Sequence, residues 1–405
     1  MVLPFVVAPL IARDLGPTER GLYGSAIAGL TLAPVLFGMG LPLAVRRAEA
    51  HGMGDAATRT ALWICVVMLL PAVGVGLLVA HYLLPGLTEI GVTAFAAASG
   101  SAVIQTFGLC LQGKLVVAHR YASIAVVQIA QSLTMSFGAA ALWLTDRMTV
   151  ASLLLVFVAS IIATVLAATA TARVPLRGSL VKSYPLMIES ISYAGSQIAE
   201  TGSNTLIPLL ALLVIGGEES GYLSVAMTIA SLAAVLANTL GILGYRDAAR
   251  RTGAELAEFC ALIVRISLVS AGVFAAVMAA LTPLLISFLF GQEYRPAAAP
   301  AVVAVGGSVL YVLNFATSQL LAAQGRGWTM TMAQVGGLVV GVAMFIGGAG
   351  WAGAVWGASA VLVARAVTAV VSLRGLPSRG ASFVPKMSDL TMAARVYVRG
   401  LPADA

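Results

Sequence analysis

The sequence predicts an all-α polytopic membrane protein, with about twelve transmembrane helices in two six-helix bundles and a first helix that is truncated. Three observations predict it. Hydrophobic residues make up 60% of the 405 and charged residues only 10%, where soluble domains carry about 25% charged; the mean hydropathy is +0.98. Basic residues collect in alternate loops. The two halves also repeat one another at a nearly constant offset.

The opening MVLPFVVAPLIA is apolar but too short to cross about 30 Å of hydrocarbon. It lacks the charged leader and A-x-A site of a signal peptide, so it reads as a stunted first helix. LGPTERG makes a polar turn, and Gly21 to Leu43 is the next span. Arg46, Arg47 and Arg59 mark the following loop. Further spans run from Thr60 to Leu84, Ile90 to Gly113, Tyr121 to Leu144 and Thr149 to Ala172. The connector RVPLRGSLVKSY then leads to spans at Pro185–Ile215, Gly221–Gly244, Phe259–Phe290, Pro296–Ala323, Trp328–Gly348 and Trp351–Leu373. The domain plan is an N-terminal bundle over 1–174, a cytoplasmic connector over 175–184, a C-terminal bundle over 185–373 and a basic cytoplasmic tail over 374–405. A surface helix in the tail, Ser388 to Arg399, and a disordered tail are both compatible with its composition.

Loop charge supports this order. With the N-terminus inside, the outer loops hold Arg13, Arg20, Arg147 and Arg295, and Arg265 and Arg365 lie within spans. The remaining seventeen of 23 Lys and Arg residues fall in the inner loops and tail, which places both termini in the cytoplasm. The net charge of +7 therefore reads as loop charge beside anionic lipid, not as a nucleic-acid surface. Cys65, Cys110 and Cys260 all lie in apolar runs without metal-ligand spacing.

The repeat aligns LGPTERGLYGSAIAGL with IGGEESGYLSVAMTIA through Gly16/Gly216, Glu19/Glu219, Gly21/Gly221 and Ala26/Ala226. Arg120 and Arg326 continue it. Six spans per half put both halves the same way up, as parallel repeats with a substrate site between them. In this register about fifteen residues are missing before Met1.

The most informative span is Pro185–Ile215. It carries two carboxylates, Glu189 and Glu200, eleven residues apart and so only about 20° apart around the helix axis. Tyr193, Ser196 and Ser203 or Asn204 extend the same face. Ionisable groups inside a membrane are costly and face a bundle interior or a watery cavity. The seam is either interhelical packing or the wall of a transport path. Glu200 lies deeper than Glu189, which is also compatible with an interfacial place.

The runs LGPTERGLYGSAIA, GLPLAVRRAEA, GEESGYLSVAMTIASLAAVL, LFGQEYRPAAAPAVVAVGG and SQLLAAQGRG resemble bacterial polysaccharide exporters of the Wzx type. These are lipid-linked oligosaccharide flippases of the multidrug/oligosaccharidyl-lipid/polysaccharide (MOP) superfamily. The resemblance implies export of an undecaprenyl-diphosphate-linked sugar unit by alternating access in the bacterial cytoplasmic membrane. Glycosyltransferases and a glycan polymerase are then expected partners, beside membrane lipids, and no nucleic acid. No enzymatic motif and no cofactor is expected; H⁺ or Na⁺ is the expected coupling ion, with Glu200 its carrier. Moving a sugar diphosphate needs polar contacts and a cation. Gln128, Gln131, Asn314 and Gln319 are candidates for the first; Arg265 and Arg365 are candidates for the phosphate. Both arginines are also near enough to an end to snorkel. An extruder of organic cations in the same superfamily suits the acidic seam too, and stays open.

Overall fold

The structure is a computed structural model that describes residues 2–392 except 51, 119, 176–177, 249–250, 349–350, 378–381, 387–388 and 390. Among the described residues all regular structure is helical. The first helices are α1 (Val2–Gly38), α2 (Leu41–Ala50), α3 (Gly54–Leu83), α4 (Glu89–Val117), α5 (Tyr121–Leu144) and α6 (Val150–Ala172). Then come α7 (Ser183–Ile215), α8 (Gly217–Ala230), α9 (Ala234–Ala248), α10 (Gly253–Leu285), α11 (Ala298–Ala323), α12 (Gly327–Gly347) and α13 (Gly353–Gly375).

Among the described residues eleven helices are long and apolar enough to cross a membrane. The first of these holds two of the segments read from the sequence, because α1 bends at Gly16 (φ 69°, ψ 174°). That conformation is essentially restricted to glycine. Gly216 breaks α7 from α8 with nearly the same angles (φ 85°, ψ 171°), so the aligned glycines of the sequence repeat make equivalent bends. Two features were not expected. Arg46 and Arg47 lie on a separate short helix, α2, set off by Met39 and Gly40 at positive φ. The span beginning near Gly221 is interrupted by a 3₁₀ turn at Ser231–Ala233.

The chain forms two compact units, Met1–Gly221 and Tyr222–Ala405. In the first, α4 is central and packs against α1, α2, α3 and α6, with α5 on α6. Its buried residues include many Ala, Gly and Ser (Gly91, Ala94, Ala98, Ser99, Ala102), which let neighbouring backbones approach closely, beside large anchors such as Phe95, Phe107 and Leu111. In the second unit α11 is central, against α9, α10 and α13, with α12 on α13. One packing plan thus occurs in each unit.

Both units also share a clamp. At the start of α5, Arg120 donates from Nη1 to the Thr171 carbonyl near the end of α6 at 2.9 Å. At the start of α12, Arg326 donates likewise to the carbonyl of Gly375, the last residue of α13. A guanidinium suits the unsatisfied carbonyls and negative end of a helix C-terminus.

Helix α7 lies in the first unit, on α1, α2 and α3. Where the start of α8 meets α1 the main chains nearly touch. A Cβ on Gly21 would overlap the Gly217 carbonyl oxygen, and one on Gly221 would overlap that of Pro17. Ser25 Oγ donates to the Pro208 carbonyl at 2.9 Å and lies 3.3 Å from Ser220 Oγ. The Ser25 bond also ties the C-terminal part of α7 to α1.

Large apolar side chains point outward along α3, α5, α6 and α10, among them Leu70, Phe137, Leu166 and Leu284. A soluble protein does not expose apolar surface on this scale; lipid is the solvent that accepts it. The chain is a multi-pass membrane protein.

Candidate functional site

The α7 seam is partly visible. Glu200 is partly buried, next in sequence to fully packed Ala199. One turn on, Asn204 Nδ2 donates to the Glu200 carbonyl at 3.0 Å, and Ser203 Oγ donates to the Ala199 carbonyl at 2.7 Å. Polar side chains in a helix commonly bond one turn back in this way. The amide and hydroxyl are thus held against the helix, and Glu200 is the charged group of this stretch. The side chains of Glu189, Tyr193 and Ser196 lie outside the described residues.

The amide candidates fall in different surroundings. Gln128 is exposed on α5, and Gln131 is partly buried about one turn along. Gln319 on α11 packs toward Gly241 of α9, where its Cγ would meet an added Cβ at 3.1 Å. Asn314 is buried, and its Nδ2 donates to the backbone carbonyl of Arg365 at 2.9 Å. The structure therefore brings together two candidates that the sequence places on separate spans. Arg365 itself stands over the Tyr311 ring at 5.1 Å and donates from Nη1 to the Gly307 carbonyl at 3.3 Å. Its cation–π contact and carbonyl bond tie α13 to α11.

Arg265 on α10 is held differently. Its Nε lies 3.1 Å from Asp389 Oδ2, and its Nη1 donates to the Ser382 carbonyl at 2.9 Å. Asp389 is only 3% exposed, and its Oδ2 also accepts the Lys386 backbone N–H at 2.7 Å. The C-terminal segment thus folds back onto the second unit. Sequence reasoning missed Asp389, because the tail reads as polar and basic. The available signal was an acidic residue in that tail set against an unpaired arginine in a span. The described part of the Ser388–Arg399 surface-helix expectation is Asp389, Thr391 and Met392; the rest lies outside the described residues.

A second polar group, also missed, gathers at the α3–α4 end of the first unit. Lys114 pairs with Asp55 and, at 3.8 Å, with Glu49. Nearby, Arg59 donates to the Pro175 carbonyl at 3.0 Å and to the Ser179 carbonyl at 2.8 and 2.9 Å. These residues line an open depression of about 350 Å³. The opposite charges already offset one another, and Arg59 is committed to holding the connector.

A family model described as polysaccharide biosynthesis protein matches residues 1–244. No curated protein matches the chain. Among solved structures, the chain is similar to an inward-facing multidrug resistance MATE family transporter of the MOP superfamily. The TM-score is 0.72 at 14% identity, covering 99% of this chain and 96% of that one. It is also similar to the lipid II flippase MurJ in an inward closed conformation, with TM-score 0.68 and 12% identity over 99% and 91%. A MOP superfamily transporter from Pyrococcus furiosus gives 0.54 at 12% identity over 98% and 92%. At these identities the likeness establishes the fold alone.

Proposed function

The chain belongs to the polysaccharide biosynthesis protein family, and from that premise we propose that it is a flippase for a lipid-linked glycan. The cargo is an oligosaccharide on undecaprenyl diphosphate, or a related polysaccharide precursor. It crosses the bacterial cytoplasmic membrane by alternating access, with both termini cytoplasmic. The observation that carries this reading is Arg265, a cation set within an apolar span and seated against an anion. A guanidinium that holds a carboxylate here has the geometry to hold a phosphate oxygen. Arg365 is the second candidate for the diphosphate, with Asn314 bonded to its backbone. Gln128, Gln131 and Gln319 would offer hydrogen bonds to sugar hydroxyls. The likeness to a lipid II flippase agrees with a lipid-diphosphate cargo, although the fold alone also serves drug transport.

Glu200 supplies the coupling. A partly buried carboxylate inside a span binds H⁺ or Na⁺ in one state and releases it in the other. The test is a reconstitution: proteoliposomes loaded with labelled undecaprenyl-diphosphate oligosaccharide, with and without an imposed H⁺ or Na⁺ gradient. The wild type should move the lipid faster with the gradient. Glu200→Gln should lose that acceleration while keeping its gel-filtration profile. Gradient-driven uptake of a cationic dye without movement of the glycan lipid would establish the extruder alternative instead.

A further inference from the structure

Among the described residues, the tail's Asp389 is a buried carboxylate paired with a cation inside an apolar span. Nothing in the helical packing requires it, since α10 is already packed against α9 and α11. Asp389 is reached only by folding the segment beyond α13 back over the unit. The same segment is pinned on both sides of the guanidinium. Phe383 packs on the apolar cluster that includes Val264, and Met392 on the one that includes Ile266. Arg265 lies between those two residues in α10. Ser382 and Asp389 therefore both hold the arginine head, and Tyr311, the ring beneath Arg365, packs against the same cluster as Met392.

We propose that Asp389 is an internal competitor, carried with Ser382, Phe383 and Met392: its carboxylate occupies Arg265 at rest and leaves when a diphosphate headgroup takes the arginine. This rests on the flippase reading for the identity of the incoming anion. The physical argument has three parts. A buried ion pair contributes little net stability, but losing one partner leaves the other charge uncompensated, so the arginine exchanges one anion for another and does not stand empty. A short tether gives the carboxylate an effective concentration of roughly millimolar, enough to hold the site against dilute simple anions. A diphosphate brings more charge and more acceptor oxygens than one carboxylate, and a planar guanidinium pairs with it bidentately. The segment would thus keep the arginine satisfied inside the apolar unit between cargoes and would exclude stray anions from it.

The test uses the full chain in proteoliposomes with Met392→Cys as reporter; the three native cysteines are buried. The rate of modification by a water-soluble maleimide is measured with and without millimolar inorganic pyrophosphate. Pyrophosphate should raise the rate at least threefold. Asp389→Asn should label at the raised rate without it and show no further response, whereas Asp389→Glu should stay protected and responsive. A rate indifferent to pyrophosphate overturns the proposal, as does slow labelling of Asp389→Asn. Flipping of the glycan lipid is followed in parallel and should start at least threefold faster in Asp389→Asn. A labelling response without any flipping leaves the exchange standing and overturns the flippase reading. Flipping with indifferent labelling does the reverse.

Discussion

At the scale of single residues, the structure shows which charges hold the fold. Arg59 is one of them. It is 8% exposed and spends its donors on two carbonyls of the connector, while Thr60 exchanges hydrogen bonds with the backbone of Val181. Replacing Arg59 by Ala strands those carbonyls and should cost about 2 kcal/mol. The measurable outcome is faster tryptic cleavage after Lys182 and a lower thermal midpoint in detergent; unchanged cleavage would refute the latch. Arg59 was legible only as an inner-loop charge, because its partners are carbonyls, which no side-chain pattern reveals. Arg265 and Glu200 stood out in the sequence, since any charge within an apolar run does. Asp389 did not, because a charge in a polar tail carries no such contrast and its partner is remote in the chain.

At the scale of helices, hydropathy located nearly every span, and the aligned glycines at 16 and 216 marked both sharp bends. The division of Gly221–Gly244 into α8 and α9 was illegible, since the 3₁₀ turn at Ser231–Ala233 contains neither glycine nor proline. The contact between α1 and the start of α8 was illegible: the sequence aligned Gly21 with Gly221 as repeat positions without any sign that the two helices meet. Gly21→Ala should force the main chains apart and lower the detergent thermal midpoint by several degrees. Gly272→Ala on α10 is the matched control, because an added Cβ there meets nothing within 4 Å. Helix propensity alone then favours that alanine by roughly 0.5–1 kcal/mol. Equal midpoints for the two variants would show that the close approach does not support the fold.

At the scale of the whole molecule, each unit repeats one plan, with α4 and α11 central and Arg120 and Arg326 clamping equivalent helix ends. Charge asymmetry predicts its orientation. In intact cells a membrane-impermeant maleimide should modify Thr145→Cys and should reach Lys182→Cys only after permeabilisation. The opposite pattern would invert the assignment. The glycine contact between α1 and the start of α8 has a further, genetic consequence. Every missense change of a glycine codon adds at least one carbon, so no such substitution at Gly21 or Gly221 is sterically silent. A deep mutational scan should show two blank columns there, beside permissive ones at lipid-facing positions such as Leu70 and Leu284. The gene's tolerance map would then trace a line where two main chains meet.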